Sequence, residues 1–182
     1  MLSVFFYFLL LAVIIIAFGT AAYAGMRAAP WLPVFKKDLD RIMQLARIKE
    51  DDLVYDLGCG DGRVLAAMAN NTPAQFVGYE VSFLLYLLAK LKVIFLGLSK
   101  RVEVRYADFL RRDLGQATVI FCFLTPMAMK KLSPKFKNEL PAGTRIISYS
   151  FSLPDWQPRE VSRPDDKSIP IFYYIVDPPH HL

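Results

Sequence analysis

The chain reads as a doubly wound α/β protein, a mostly parallel sheet with helices on both faces, preceded by an apolar transmembrane helix. Three observations predict it. Short apolar strand-like runs alternate with stretches of helical periodicity between residues 53 and 150, the order that builds a parallel sheet. The first of these runs ends in an acid and a glycine-rich turn that opens a helix. From Met1 to Met26 no side chain is charged. A length of 182 residues, 54% of them hydrophobic, leaves room for one globular unit and excludes a multidomain assembly. The expected division is an anchor over 1–26, a linker over 27–36 and a single domain over 37–182.

The apolar run MLSVFFYFLLLAVIIIAF, wound as a helix, reaches about 35 Å against roughly 30 Å of hydrocarbon. The rival reading is a cleaved signal peptide, since Ala22-Tyr23-Ala24 has the form of a cleavage site. The positive segment that opens such a peptide is missing. Positive charge follows the run instead, at Arg27, Lys36, Lys37 and Arg41, which by the positive-inside rule leaves a single-pass protein with its domain on the cytoplasmic side. Cys59 and Cys122 form neither a disulfide framework nor a zinc spacing, so a reducing compartment is the default.

Pro30 and Pro33 mark an extended linker, because proline lacks a backbone donor and pushes its predecessor away from helix. Leu39, Ile42, Met43, Leu45 and Ala46 recur at helical spacing behind Asp38 as a cap, predicting a helix over Asp38–Ile48. Strands are expected over Leu53–Leu57, Gln75–Glu80, Val102–Tyr106, Thr118–Leu124 and Arg145–Ser150. Helices are expected over Arg63–Ala69, Val81–Leu98, Pro126–Leu132 and Pro134–Leu140. Ile169–Val176 reads as a closing strand, antiparallel at an edge. The helix SFLLYLLAKLKVIFLGL is apolar all the way round, whereas an outer helix normally has a polar face. Either neighbouring elements bury it, or it meets a bilayer or a membrane partner with Lys90 and Lys92 reaching toward head groups.

The informative stretch is VYDLGCGDGRV, Val54 to Val64. A strand delivers Asp56, then Gly58, Gly60 and Gly62 let the backbone turn tightly and approach a ligand at a helix start. A dinucleotide site carries G-x-G-x-x-G and seats a pyrophosphate; here the spacing is G-x-G-x-G, and Asp56 and Asp61 would repel phosphate. The phosphate-loop lysine is absent as well. A cationic nucleoside fits better, and S-adenosylmethionine carries both an ammonium and a sulfonium. Glu80, ending the second strand, suits a ribose diol. Asp108 after the third strand suits an adenine amino group, with Phe109 packing on the ring, although the same aspartate reads also as a helix cap.

Taken in order, PWLPV at Pro30–Val34, the helix after it, VYDLGCGDGRV, FVGYE, the Asp108 loop, ATVIFCFLTP, LSPKFKNELPAGTRIIS and SFSLPDWQP resemble the class I methyltransferases. Within these the series is similar to a small protein lysine methyltransferase family with broad-specificity archaeal members and membrane-anchored mitochondrial ones. The resemblance runs from Pro30 to about Pro158. It implies a Rossmann-like fold of the seven-stranded type, S-adenosyl-L-methionine as methyl donor, protein lysines as acceptors, and an anchor similar in kind to that of the mitochondrial members. Related sequences follow the second proline of P-x-x-P with a small hydroxyl residue and another proline, where this chain has Val34-Phe35. That departure falls on the substrate side, beside Pro33.

Transfer from a sulfonium needs a neutral amine aligned with the methyl carbon, and a lysine, with an ordinary pKa of about 10.4, loses its proton more readily when desolvated. No obligatory base is expected. Thr125 and Tyr149 are the candidates nearest the chemistry, and Pro33, Pro126, Phe151 and Trp156 the candidates for an acceptor pocket, because ligands bind at the carboxyl ends of strands in an open sheet. Several of these read equally as core. Asp177-Pro178-Pro179 resembles a D-P-P-Y motif of amino methyltransferases, yet that motif follows the fourth strand, where this chain reads FLTPM. His180 and His181 read as a solvated tail, and no metal is expected. A formal charge of +5, with Lys130, Lys131, Lys135, Lys137, Arg101, Arg105, Arg111 and Arg112, admits an RNA methyltransferase or a nucleic-acid-binding module, but a domain held near anionic lipid accounts for the same charge and no nucleic acid is expected. A lipid or small-molecule methyltransferase is the remaining alternative. The intact set Asp56, Gly58, Gly60, Glu80 and Asp108 argues against a pseudoenzyme.

Overall fold

A computed structural model describes residues 2–27 and 32–178, with the side chains of the first helix described at 2–12, 14, 15 and 19. Met1, Pro30, Trp31, Pro179 and the two terminal histidines lie outside the described residues. Helix α1 spans Leu2–Arg27 and leaves Phe5, Phe6, Tyr7, Phe8 and Leu11 exposed. Among the described residues no helix is long and apolar enough to cross a membrane.

The sheet is built from β1 (Leu53–Leu57), β2 (Gln75–Glu80), β3 (Val102–Tyr106), β4 (Val119–Cys122), β5 (Arg145–Tyr149), β6 (Glu160–Ser162) and β7 (Ile171–Ile175). Its order is β3-β2-β1-β4-β5-β7-β6, with β1 to β5 parallel, β7 antiparallel to β5 and β6 antiparallel to β7. This is the Rossmann-like architecture that the alternation predicts. The central strands β1 and β4 are buried almost throughout because both faces are covered, whereas β3 at the edge carries Glu103 and Arg105. Val54 of β1 and Val119 and Phe121 of β4 enter one core with α2 (Leu39–Ala46), α3 (Arg63–Asn71) and Val93 of α4 (Phe83–Phe95). Tyr55, Leu57, Ile120 and Cys122, one residue out of phase, enter the other core with α5 (Pro126–Glu139).

Several local expectations are corrected. Asp38 does not cap α2: a 3-10 turn at Lys36–Asp38 precedes the helix, and the Asp38 carboxylate accepts instead from Arg41 Nη1 at 2.8 Å and Tyr149 OH at 2.7 Å. The helix stops at Arg47, whose φ of 46° breaks it before Ile48. Thr118 and Leu124 fall outside β4, and Ser150, with a φ of 77°, ends β5. The two helices expected around Pro134 are one, because Leu132 before the proline and Phe136 after it, both fully buried, pack from the same helix face into one core and offset the hydrogen bond lost there. The last long strand is antiparallel as expected but not at the edge. β6, whose three residues give no apolar signal, pairs with β7 from outside.

Arg145 ties the domain's lower rim together. It donates to the carbonyls of Ala46 (3.0 Å) and Arg47 at the end of α2 and to Asp52 before β1, while Thr118 Oγ1 also donates to Asp52 at 2.7 Å. The order of the central strands reverses between β1 and β4, so their carboxyl ends frame the crevice in which such sheets bind ligands.

Candidate cofactor and acceptor site

The chain leaving β1 turns through three left-handed glycines, Gly58, Gly60 and Gly62, with φ of 78°, 56° and 73°. The loop is stitched to the end of β2. Gly58 N and Cys59 N both donate to Tyr79 O at 2.9 Å, and Gly60 N donates to Glu80 Oε2 at 2.9 Å. Beside it lies a cavity of about 490 Å³ whose lining includes the polar group Asp56, Asp61 and Glu80, the loop residues Gly58, Cys59 and Gly60, and the apolar residues Leu32, Pro33, Val34, Phe121, Phe123 and Phe151 with Leu124 and Thr125. Phe109, Arg63, Ser82 and Leu84 line it too, with Val64, Val81 and Leu85.

The acids differ in how far their charge is compensated. Asp61 accepts from Arg63 Nε at 3.1 Å and from Lys92 Nζ at 2.9 Å; burial opposes its ionisation, but these two cations outweigh burial and hold it below the usual carboxylate range. Two cations of the chain thus already face its charge, a pairing that the sequence does not reveal. Glu80 is 5% exposed and accepts from Val81 N and Ser82 N on Oε1 and from Gly60 N on Oε2. Burial raises it even against those bonds, which take about three of four lone-pair sites and leave Oε2 capacity for one more donor. Asp56 is the uncompensated group. Its Oδ2 is buried with no hydrogen-bond partner among the described residues, and burial, with Glu80 and Asp61 nearby, pushes its pKa up to about 8. An unpaired buried carboxyl on a cavity wall is relieved by a cationic ligand, so these residues fit the ammonium and sulfonium of S-adenosylmethionine.

Of the residues expected around the cofactor, Asp56, Gly58, Gly60, Asp61, Glu80 and Phe109 line the cavity, whereas Gly62 and Asp108 do not. Gly62 serves helix packing, since a Cβ there would stand 3.0 Å from Ala89 Cβ. Asp108 caps the 3-10 turn Phe109–Arg111, accepting from Leu110 N at 3.0 Å; its Oδ2 is buried without a hydrogen bond, 3.8 Å from Arg111 Nε.

On the acceptor side, Pro33, Thr125 and Phe151 line the cavity, and Thr125 also caps α5 by accepting from Ala128 N at 3.4 Å. Tyr149 does not line it. The ring is 1% exposed, and burial and Asp38 push the phenol well above its ordinary pKa while its OH donates to Asp38. Its contribution is indirect, through an edge contact at 4.8 Å with the lining residue Phe123. Trp156 does not line the cavity either; it donates from Nε1 to Ser133 Oγ at 3.1 Å and packs its ring against Tyr174. Pro126 forms the first turn of α5 and stays off the wall. The sequence reading passed over Phe123, Leu124, Cys59 and Leu84; the first two stand where β4 ends at the switch point, a position that could have found them. Among the described residues no cluster of His, Cys, Asp and Glu could hold a metal ion.

The comparisons with known proteins agree with this geometry. The model of the ANTKMT methyltransferase domain matches residues 56–160. The chain is 31% identical over 150 residues to a protein-lysine N-methyltransferase of Saccharolobus islandicus (strain REY15A), covering 81% of this chain and 93% of that protein. It is 32% identical over 129 residues to the adenine nucleotide translocase lysine N-methyltransferase of Mus musculus, covering 71% of this chain and 56% of the mouse protein. Among solved structures, an RNA methyltransferase from Salinibacter ruber in complex with S-adenosyl-L-homocysteine superposes with a TM-score of 0.76 at 31% identity, over 80% of this chain and 94% of that one. A family match across more than half of the residues, a Rossmann-like sheet and an unpaired carboxyl beside a glycine loop converge: the chain belongs to the ANTKMT methyltransferase domain family and is an S-adenosylmethionine-dependent methyltransferase.

Proposed function

We propose that this methyltransferase modifies lysine side chains of proteins at or near a membrane, anchored by α1 with the catalytic domain on the cytoplasmic side. The observation that carries the lysine reading is the apolar part of the cavity lining, where Leu32, Pro33, Val34, Phe121, Phe123 and Phe151 share one space with the acids. A lysine entering there sheds water, which favours the neutral amine over the ammonium. When bound, S-adenosylmethionine supplies the electrophilic methyl group. The protein's part is to hold the donor's cationic end at Asp56, the ribose at Glu80 and the ring against Phe109, and to align and desolvate the acceptor. No side chain is assigned as a general base: Tyr149 is committed to Asp38. The protein-lysine relatives from Saccharolobus and mouse support this acceptor class.

No helix among the described residues meets the length and apolarity of a span, so the anchor reading rests on the sequence of α1, uncharged before Arg27, and on the exposed aromatic and leucine residues of its first half. Lys36 and Lys37 follow it, exposed, and support the cytoplasmic orientation; Arg41 is withdrawn into contacts with Asp38 and Ser162. The name of the Salinibacter protein favours RNA as a second acceptor. The test supplies full-length protein with methyl-labelled cofactor, membranes, soluble protein and RNA, alongside Asp56→Ala. Label on protein lysines, absent with the variant, is the expected result; label confined to RNA or lipid overturns the lysine reading.

A further inference from the structure

Helix α4 is buried only at Ala89 and Val93. Leu84, Leu87, Leu88, Leu91, Ile94 and Phe95 remain between 40% and 84% exposed, although α1 packs beside this helix. At 3.6 residues per turn those six side chains occupy one arc of about 120° opposite the buried pair. The two lysines flank the arc on either side and differ in use. Lys92 turns inward to Asp61, so it does not reach for head groups as the sequence suggests, while Lys90 lies over the Tyr86 ring and donates to its hydroxyl at 3.2 Å. On the Lys90 side runs β3, the edge strand of the sheet, and between them is a hollow lined by Tyr86, Lys90, Glu103, Arg105, Tyr106 and Arg112. Glu103 is its one acid and is paired with Arg105 at 2.6 Å, so the hollow carries net positive charge. At the amino end of the arc, Leu84 lines the cofactor cavity together with Leu32 and Pro33.

We propose that α4 and the β3 edge rest on an anionic phospholipid bilayer. The apolar arc enters the acyl boundary, Lys90 and Arg112 face head-group phosphates, and Tyr86 and Tyr106 sit at the interface, where such rings are favoured. A continuous apolar surface with cations on its rim fits anionic lipid, because a protein partner of equal apolarity would leave those cations opposite nothing negative. Seated this way, the cavity mouth beside Leu84 opens at the membrane surface, and the lysines within reach are those near the head groups. This last step rests on the lysine reading above; the seating itself does not.

The experiment uses the full chain in nanodiscs, with an environment-sensitive fluorophore on Leu88→Cys or on Lys131→Cys and nitroxide-bearing lipid tails as quencher. Cys59 and Cys122 are buried and Lys131 lies on α5, across the sheet. Quenching at position 88 but not at 131, stronger in discs containing phosphatidylserine, is expected. Lys90→Gln with Arg112→Gln then lowers the ratio of seated to unseated protein about 25-fold, from about fivefold per cation near an anionic surface. A label at position 88 that stays unquenched in anionic discs while a Phe8→Cys label on α1 is quenched overturns the proposal, and so does protection of position 88 by a second copy in detergent. Quenching is read without turnover, so failure of the seating and failure of lysine transfer are separate results.

Discussion

Asp56, proposed above to hold the cofactor's cationic end, should make cofactor binding a proton-coupled event. In the free enzyme its carboxyl titrates at about 8, raised by burial and by the neighbouring Glu80 and Asp61. At pH 7 it is about one-tenth ionised and at pH 6 about one-hundredth, so charging it for a cationic ligand costs about 1.4 and about 2.7 kcal/mol respectively. The sign follows: the complex favours the carboxylate, the free enzyme below pH 8 holds the acid, and binding therefore releases a proton. Affinity for S-adenosylmethionine should rise about ninefold from pH 6 to 7, about fivefold from 7 to 8, and level off above. Calorimetry at pH 7 in two buffers of different ionisation enthalpy should register release of about 0.9 proton per site. Asp56→Asn should bind about 10- to 100-fold more weakly at pH 8, the worth of a charge-assisted contact, and release no proton. Without cofactor the same variant should melt higher than wild type above about pH 5, since an acid whose folded pKa is raised loses stability as pH climbs from its unfolded value toward 8. A wild-type affinity independent of pH, with no proton released, would refute the reasoning.

Other substitutions separate chemistry from scaffold. Tyr149→Phe should cost about 1–2 kcal/mol of stability through the lost bond to Asp38, visible in thermal unfolding, with the turnover number changed only a few-fold; a loss of a thousandfold at unchanged stability would return Tyr149 to the reaction. Gly78→Ala places a Cβ 2.8 Å from Cys59 Sγ and Leu65 Cδ2, so it should destabilise by about 1–3 kcal/mol and raise the cofactor Kd by displacing the glycine loop, both read from one melting series with and without S-adenosylhomocysteine. Trp156→Phe should cost about 1 kcal/mol through the bond to Ser133 and leave the cofactor Kd unchanged in titration calorimetry.

The sequence by itself determined the features governed by neighbours along the chain. Strands β1, β2 and β3 have the limits their apolar runs set, and the glycine turn after Asp56 is left-handed at the three positions where only glycine is at ease. Asp56 and Glu80 reach the cavity because the ends of adjacent parallel strands, in register at Leu57 and Tyr79, must lie side by side. Tertiary structure decided which groups are free to act. Asp61 and Asp56 look alike in sequence, but Lys92, 31 residues away, neutralises the first and nothing described pairs with Oδ2 of the second. Tyr149 is silenced by Asp38 across 111 residues, and Trp156 by Ser133. The apolar ring of α4 became one exposed arc only once Ala89 and Val93 were chosen as its inner edge. A strand or a turn is set by the residues within it, whereas the charge, accessibility and orientation of a side chain are set by whatever the fold brings against it from elsewhere in the chain.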